Sequence, residues 1–406
     1  MKTWQGTPDS AAPLRPRPAA GGFGLLSLGF FIGNVDLRSI PPLLVPIAHA
    51  LQVSVGAITV IATVYLLSFG AMLPVYGILS DRIGRVRVMR WGLIGLCVGD
   101  LLSAVAPNLG VLIVGRAIAG GCAASLLPTT MVYLGDTVPF GQRQQVIANV
   151  LAVGAVGTAT GILGAGLLAR FVTWRLAFAI PAVAALVLAI VFGRLSESLA
   201  GQRGTGTITQ VRRVSRSGWA TFLVGFAFVE GAVMLGFFTF FAPALEAHGK
   251  SAAIAGVVVA AYGVAVIGGT QIVKRLTGHV TAAWLIALGG ALLMIGYGIA
   301  ALDQGIVAIL LGSLVIGVAY ASLHSTIQTW STQVVPEARG TATSLVAAGV
   351  FIGAAIGTAA VSSLANAHRY PLLFAVALAI TLPVVIVGAL ARARYEPSLS
   401  GARAGE

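Results

Sequence analysis

Only 9% of the 406 residues are charged, 57% are hydrophobic, and the mean hydropathy is +0.95. This leaves too little polar surface to cover a soluble globule, so the composition indicates an integral membrane protein. The net charge of +13 does not indicate a nucleic-acid partner, because the basic residues form short tracts between apolar runs rather than a basic face. Cys97 and Cys122 lie inside apolar runs, where single thiols predict ordinary packing and neither a disulfide nor a metal site.

Twelve apolar runs are long enough, or nearly so, to cross the hydrocarbon layer as helices. They fall at about 21–47, 55–79, 91–106, 109–134, 145–168, 176–193, 218–243, 252–273, 281–302, 305–328, 342–366 and 371–391. We therefore predict an all-α membrane protein with 12 transmembrane helices. The predicted organisation is an N-terminal tail (1–20), a six-helix bundle (21–193), a polar linker (194–217), a second six-helix bundle (218–391) and a C-terminal tail (392–406).

The distribution of basic residues predicts the orientation. If the N-terminus is cytoplasmic, only Arg170, Arg175, Lys250 and Arg369 lie between spans on the outer side, and the other loop and tail arginines and lysines are inside. No cleavable secretory signal precedes the first span. We therefore expect a multi-pass protein of the inner (plasma) membrane with both termini in the cytoplasm.

A short charged segment, from Gly77 to Arg90, separates the second and third apolar runs and fits the pattern G-x-L-x-D-R-x-G-R. The fixed positions of the pattern are Gly77, Leu79, Asp81, Arg82, Gly84 and Arg85. A loop that only orients the chain needs basic residues, but neither two spaced glycines nor an acid. The segment resembles the signature between helices 2 and 3 of the major facilitator superfamily. That resemblance implies a secondary transporter with two pseudo-symmetric six-helix halves.

Other segments resemble the 12-span drug:proton antiporters of that superfamily. Residues 112–120, LIVGRAIAG, are similar to the span 4 motif that carries a buried arginine, which is Arg116 in this chain. The chain departs from the antiporter pattern at Ile162, where the family has proline in span 5, and near Ala119, where its usual glutamine is absent.

Spans 5 and 11 occupy equivalent positions in the two halves, and both carry regularly spaced glycines. Small residues at this spacing let helix backbones approach closely in lipid. The glycines predicted to pack in this way are Gly157, Gly161, Gly349, Gly353 and Gly357.

Five ionisable side chains lie well inside predicted spans, namely Asp36, Arg38, Asp100, Arg116 and Glu230. A charge at the centre of a transmembrane helix costs about 2.5 to 3.5 kcal/mol on insertion scales, so these groups are expected to face the interior and one another. Gly84, which closes the charged segment, has a counterpart in Gly278, and the same offset of 194 residues carries Asp36 on span 1 onto Glu230 on span 7. This predicts a coupling carboxylate at the same depth in each half.

Asp36 and Arg116 are the predicted proton-coupling pair. Burial favours the neutral form of a carboxylic acid and a neighbouring guanidinium favours the ionised form, so conformation can switch such a group. The antiporter resemblance implies that Asp36 carries the proton, that Arg116 stabilises its ionised form, and that substrate and proton compete. Arg38 is a poor partner for Asp36, because residues two apart point to different helix faces. Asp100 has no obvious partner and is either a packing group or a second relay acid.

The candidate cavity residues lie on three spans. His324 and Gln328 are one helical turn apart on span 10, Phe226 and Phe237 belong to a phenylalanine-rich span 7, and Asn34 lies on span 1. A single histidine inside a membrane is also compatible with simple hydrogen-bonded packing. Inward-facing aromatic rings would suit lipophilic or cationic compounds.

The charged segment is expected to act as a gate. A carboxylate is favoured at a helix N-terminus, so Asp81 is expected to approach the start of span 11 and hold the cytoplasmic side closed in the outward-facing state. The residues assigned to this gate are Gly77, Asp81, Arg82, Gly84, Arg85, Asp136, Glu337 and Arg339.

These features favour a proton-coupled exporter of small lipophilic or cationic compounds. The alternatives are a proton-coupled symporter or uniporter that takes up a sugar or metabolite, and a non-transporting receptor or regulator on the same fold. An enzyme is not expected, because no nucleophile with its base, metal cluster or phosphate loop is present. The expected partners are a small-molecule substrate, protons and the lipid bilayer, with no cofactor, no metal and a monomeric state.

Overall fold

A computed structural model describes residues 22–197 and 207–395, and within these ranges the chain is almost entirely helical and contains no β-strand. The predicted N-terminal tail (1–20) lies outside the described residues. Residues 198–206 of the predicted linker and 396–406 of the predicted C-terminal tail also lie outside them.

Twelve long helices, α1 to α12 in chain order, make up the described bundle. They are α1 Gly22–Ser39, α2 Val55–Ile83, α3 Arg85–Ala104, α4 Leu109–Thr137, α5 Phe140–Phe171, α6 Leu176–Arg194, α7 Gly218–Ala247, α8 Ala252–Leu276, α9 Ala282–Leu302, α10 Ile306–Ser331, α11 Pro336–Ala360 and α12 Tyr370–Arg394.

Ten of these helices are long and apolar enough to cross a membrane, and α1 forms an eleventh crossing together with the helix Pro41–Leu51, which is bent by 42° relative to it. The twelfth, α3, is 20 residues long but is less apolar than the others, because it carries Arg85, Arg87, Arg90 and Asp100. The predicted all-α membrane fold with twelve helices is confirmed.

Local sequence signals explain several helix ends. α1 ends before Pro41 and Pro42, which lack the amide hydrogen needed to continue its hydrogen-bond ladder. Asn108 caps α4 by accepting a hydrogen bond from the amide of Val111 at 3.0 Å. Thr281 caps α9 in the same way, at 3.2 Å.

The structure differs from the sequence prediction around the linker and α11. α11 begins at Pro336, earlier than the apolar run that starts at 342, because hydropathy does not detect its polar first turn. It stops at Ala360, and a separate short helix, Ser362–Asn366, follows. Within the linker, Thr207–Arg216 forms an amphipathic helix that buries Val214 against the start of α11. We call this segment the linker helix.

The helix contacts repeat in the two halves. In the first half α1 packs on α5, α2 on α4, and α3 on α4 and α6. In the second half the equivalent pairs are α7 on α11, α8 on α10, and α9 on α10 and α12. This is the packing expected of two pseudo-symmetric six-helix halves.

Glycines allow α5 and α11 to lie directly against α1 and α7. A methyl group on Gly157 would lie 2.6 Å from the carbonyl oxygen of Phe31, and one on Gly349 would lie 2.8 Å from that of Val224. Backbones this close leave no space for a Cβ atom at these positions. The other glycines with similarly close backbone approaches are Gly161, Gly353 and Gly357.

The two halves meet where α2 packs on α11 and α5 packs on α8. The closest approaches lie at the end of the bundle opposite the turn between α2 and α3. There a methyl group on Gly56 would lie 2.8 Å from Asn366, and one on Gly256 would lie 3.0 Å from the backbone of α5. Near the turn, a methyl group on Gly77 would be 3.9 Å from Ser344. The halves therefore pack more closely away from that turn.

Replacing Gly353 with alanine is expected to lower the unfolding temperature of the purified protein by several degrees. The added methyl group would overlap the carbonyl oxygen of Phe228 and push α11 from α7, and overpacking of this kind costs about 1 to 3 kcal/mol. Gly225→Ala is the matched control, because no atom lies within 4 Å of that position and alanine favours a helix. Thermal unfolding in detergent compares the two variants, and equal unfolding temperatures would contradict the prediction.

Candidate functional site

The most deeply buried charged cluster centres on Arg116 in α4. Its guanidinium donates one hydrogen bond to Oδ1 of Asp100 on α3, at 2.7 Å, and another to Oδ1 of Asp36 on α1, at 2.9 Å. All three side chains are fully buried. The structure brings the predicted pair Asp36 and Arg116 into contact, and it gives Asp100, for which the sequence offered no partner, the same arginine.

Two aromatic rings hold the Arg116 guanidinium in place. Its Cζ atom lies 4.5 Å from the ring centre of Tyr65 on α2 and 4.7 Å from that of Phe178 on α6. Such contacts favour a cation where water is excluded. Asp36 and Asp100 each keep one oxygen, Oδ2, without a hydrogen-bond partner. Either acid could therefore hold a proton without losing its bond to Arg116.

A second buried acid, Glu230, lies on α7 in the other half. Its Oε1 atom is 2.9 Å from Nδ1 of His324 on α10, and its Oε2 atom has no hydrogen-bond partner. Nε2 of His324 lies 3.3 Å from the amide nitrogen of Gln328, and the ring of Tyr320 stacks on the imidazole with centroids 4.6 Å apart. The predicted residues Glu230, His324 and Gln328 thus form one cluster.

The hydrogen bonds around His324 are compatible with a neutral imidazole. If Nδ1 carries the hydrogen and donates to Glu230, Nε2 is free to accept from the Gln328 amide. That arrangement pairs a neutral imidazole with an ionised carboxylate. A second proton on the ring would make the pair a salt bridge.

α7 changes its helical geometry directly after Glu230. Residues Ala232–Gly236 form a π-helical turn and Phe237–Phe240 a 3₁₀ turn. A π-turn inserts a residue into an α-helix and shifts the register of the residues after it, and such turns are frequent at functional sites. Here the shifted segment supplies part of a pocket.

A small pocket lies between the two halves. It is lined by Leu37, Arg38, Ile40, Pro41, Ala62, Tyr65, Leu66, Leu235, Phe238 and Thr239. The predicted cavity residues Phe226 and Phe237 are not among the lining residues, since the ring of Phe226 lies against Gly388 of α12. The Asn34 side chain donates to the backbone oxygen of Phe30 on its own helix.

Arg38 faces away from Asp36, towards the second half. Its Cζ atom lies 5.4 Å from the ring centre of Tyr262 on α8, and its Nε atom is buried without a hydrogen-bond partner. Among the described side chains, no carboxylate lies within ion-pair distance of this guanidinium. α1 therefore presents an acid to one half and a base to the other.

The charged turn between α2 and α3 forms a network at one end of the bundle. Arg85 is buried, pairs with Asp81, lies 3.4 Å from Asp136, and donates to the Ser80 hydroxyl at 3.2 Å. Arg82 is exposed. In this structure Asp81 thus pairs with Arg85 on the adjoining helix.

Glu197, which follows α6, belongs to this network, although its role was not predicted from the sequence. Its carboxylate accepts hydrogen bonds from the amides of Val86, at 2.8 Å, and Arg87, at 3.2 Å, and so caps α3. Gly84 has φ of +105°, and a Cβ atom there would lie 2.6 Å from the Glu197 carboxyl group. The only available signal was that α3 begins without a capping side chain of its own.

The predicted docking site for Asp81, at the start of α11, is contacted by the linker helix in this structure. The Thr341 hydroxyl donates to Oε1 of Gln210 at 2.8 Å, and Val214 packs in one cluster with Ala338. Arg339 and Glu337 are exposed beside these contacts.

Comparisons with known proteins agree with this architecture. The sequence profile described as Major Facilitator Superfamily matches residues 26–336 and 244–406. A triacylglyceride transporter of Mycolicibacterium hassiacum is 31% identical over 180 residues, which are 43% of this chain and 34% of that protein. The puromycin resistance protein pur8 of Streptomyces alboniger is 32% identical over 192 residues, 43% of this chain and 38% of that protein. The matches thus span little more than a third of these relatives.

A solved structure of the nucleoside transporter NupG has a TM-score of 0.76 and 13% sequence identity, and the match covers 91% of this chain and 98% of that one. At this identity the likeness concerns the fold alone. The profile spans both halves, including the α2–α3 turn and the buried charges. The chain therefore belongs to the Major Facilitator Superfamily of membrane transporters.

Proposed function

We propose that the protein exports small lipophilic or cationic compounds in exchange for protons, by alternating access. The observation that carries this proposal is the set of charges in the middle of the spans. The set consists of Asp36, Asp100 and Glu230 as acids and Arg38 and Arg116 as bases. If His324 is neutral and all three acids are ionised, three acids face two arginines and one negative charge is uncompensated.

An uncompensated charge is costly where water is excluded, so the interior favours binding of one neutralising positive charge. A proton and a monovalent organic cation can each supply it, but both together would overcompensate. This charge balance gives the competition that an antiporter needs.

Pocket and charge cluster share a side chain, which supports coupling between them. Tyr65 lines the pocket between the halves and also covers the guanidinium of Arg116. Leu37, the neighbour of Asp36, lines the same pocket. A compound that enters the pocket would press on Tyr65 and on the segment of α1 that carries Asp36.

The proposed orientation is compatible with export. The positive-inside distribution favours a cytoplasmic position for the α2–α3 turn and for both termini, in the inner membrane. Because the halves pack most closely at the opposite end, the pocket would be reached from the cytoplasm, as export requires. The name of the puromycin resistance protein is compatible with removal of a toxic compound. We take the transporting unit to be the monomer.

Asp36→Asn is expected to reduce flux driven by a pH gradient at least tenfold, because the cluster can then no longer gain or lose a proton at this position. The Arg116–Asp100 pair remains, so the protein level and unfolding temperature should stay unchanged. Proton movement into proteoliposomes, followed with an entrapped pH dye while lipophilic compounds are added, measures this flux. Asp303→Asn, an exposed acid in the loop after α9, is the control. Wild-type flux in Asp36→Asn would refute the assigned role.

Arg116→Gln is expected to destabilise the fold by about 3 to 5 kcal/mol, because two buried carboxylates lose their only cation. The triple variant with Asp36→Asn and Asp100→Asn should recover most of the lost stability, since no buried charge remains in the cluster. Thermal unfolding of both variants measures this. Failure of the triple variant to unfold at a higher temperature than Arg116→Gln would contradict the electrostatic explanation.

Asp81→Ala is expected to lower transport at least tenfold, because the gate loses the carboxylate assigned to it. The protein level should be maintained, because Arg85 keeps Asp136 as a second carboxylate partner. Flux and expression are measured side by side, with Asp303→Ala as the control for loss of an exposed acid. A variant with normal flux would exclude Asp81 from gating.

A further inference from the structure

The cluster around Glu230 has the chemistry of a binding site for an organic cation. We propose that Glu230 binds the positively charged group of the exported compound, and that protonated His324 neutralises Glu230 when the compound is absent. This inference rests on the proposed proton-coupled export, and it adds the location and chemical class of the substrate.

Glu230 is the buried acid whose counter-charge can be exchanged. Asp36 and Asp100 are both held by Arg116, whose guanidinium is fixed between two rings. Among the described side chains Glu230 has an imidazole as its one hydrogen-bond partner, and its Oε2 atom is buried without such a partner. A carboxylate with one free oxygen and a partner that can be neutral is ready to accept an ammonium group.

A chain of aromatic rings leads from the Glu230 cluster to the pocket. The imidazole of His324 stacks on Tyr320, the ring of Tyr320 lies 6.1 Å from that of Tyr262, and Tyr262 lies 4.6 Å from Phe238 of the pocket. Aromatic faces attract organic cations and exclude water from them. Arg38 approaches the same Tyr262 ring and disfavours a ligand with more than one positive charge.

His324 is more accessible than Glu230. The side chain of Glu230 is fully buried, whereas that of His324 is 14% exposed. Gln328 lies one helical turn closer to the end of α10 on the side of the α2–α3 turn. A proton or a cation arriving from that end meets Gln328 and His324 before Glu230.

Proton binding at this site changes the imidazole and the orientation of the Gln328 amide. A proton arriving at Nε2 forms an N–H bond there, Nδ1 keeps its hydrogen towards Glu230, and the Gln328 amide turns so that its oxygen accepts. The resulting imidazolium neutralises Glu230. When that proton leaves, the carboxylate is uncompensated again and attracts a cation. A protonated His324 and a bound cation therefore exclude each other at Glu230.

The test measures equilibrium binding to the purified full chain without any gradient. The probes are 2-(1-naphthyl)ethylamine, which is a cation, and its neutral analogue 2-(1-naphthyl)ethanol. The wild-type protein is expected to bind the amine at least tenfold more tightly than the alcohol at about pH 8, and to lose this preference towards about pH 5, as His324 takes up its proton. A wild-type protein without the preference would overturn the proposal.

Two variants assign the effect to its residues. Glu230→Gln is expected to abolish the preference for the amine while binding of the alcohol is retained. His324→Gln keeps a hydrogen-bonding side chain that does not titrate, so its affinity for the amine should no longer vary with pH. His279→Gln, at an exposed histidine outside the cluster, should keep the wild-type pH dependence.

The outcomes separate this proposal from the proposed function. Wild-type preference for the amine in Glu230→Gln, or an unchanged pH dependence in His324→Gln, would overturn the cation site alone. Undiminished gradient-driven flux in Asp36→Asn would overturn the coupling role of that residue alone, because binding is measured without a gradient.

Discussion

The bond between Arg116 and two buried carboxylates is the interaction on which the first half depends. It joins α1, α3 and α4 at one point in the middle of the membrane, with aromatic rings from α2 and α6 on the guanidinium. In an apolar interior the pairing itself contributes little net stability. Leaving one of the charged groups without its partner, however, would strongly destabilise the fold. The cluster therefore fixes the arrangement of five helices.

The two halves share their helix packing and differ in how they treat a buried acid. In the first half Asp36 is held by a guanidinium, which stays charged at all relevant pH values. In the second half Glu230 faces His324, whose imidazole can be neutral or protonated. The pseudo-symmetric scaffold thus carries one permanently charged partner and one titratable partner. The buried acids of the two halves therefore differ in the kind of basic side chain that they contact.

The turn between α2 and α3 shows how a short motif depends on distant residues. Gly84 and Arg85 belong to the motif itself, but their neighbours Asp136 and Glu197 come from α4 and from the segment after α6. Glu197 caps α3 only because α6 ends beside the start of α3. The linker helix, which contacts the start of α11, adds a further element at the same end. Four separate segments of the chain therefore meet at this end of the bundle.

The sequence by itself determined the twelve membrane helices and the superfamily, because hydropathy, glycine spacing and the charged motif are local features that every helix carries alone. It also identified the buried charged residues, since a charge in an apolar run is visible without a structure. Only the tertiary structure decided the partners. Asp100 and Asp36 share Arg116, and His324 meets Glu230, because α3 packs on α4 and α10 approaches α7. Such contacts join residues on different helices. The spacing of residues along one helix does not indicate which face of a neighbouring helix packs against it.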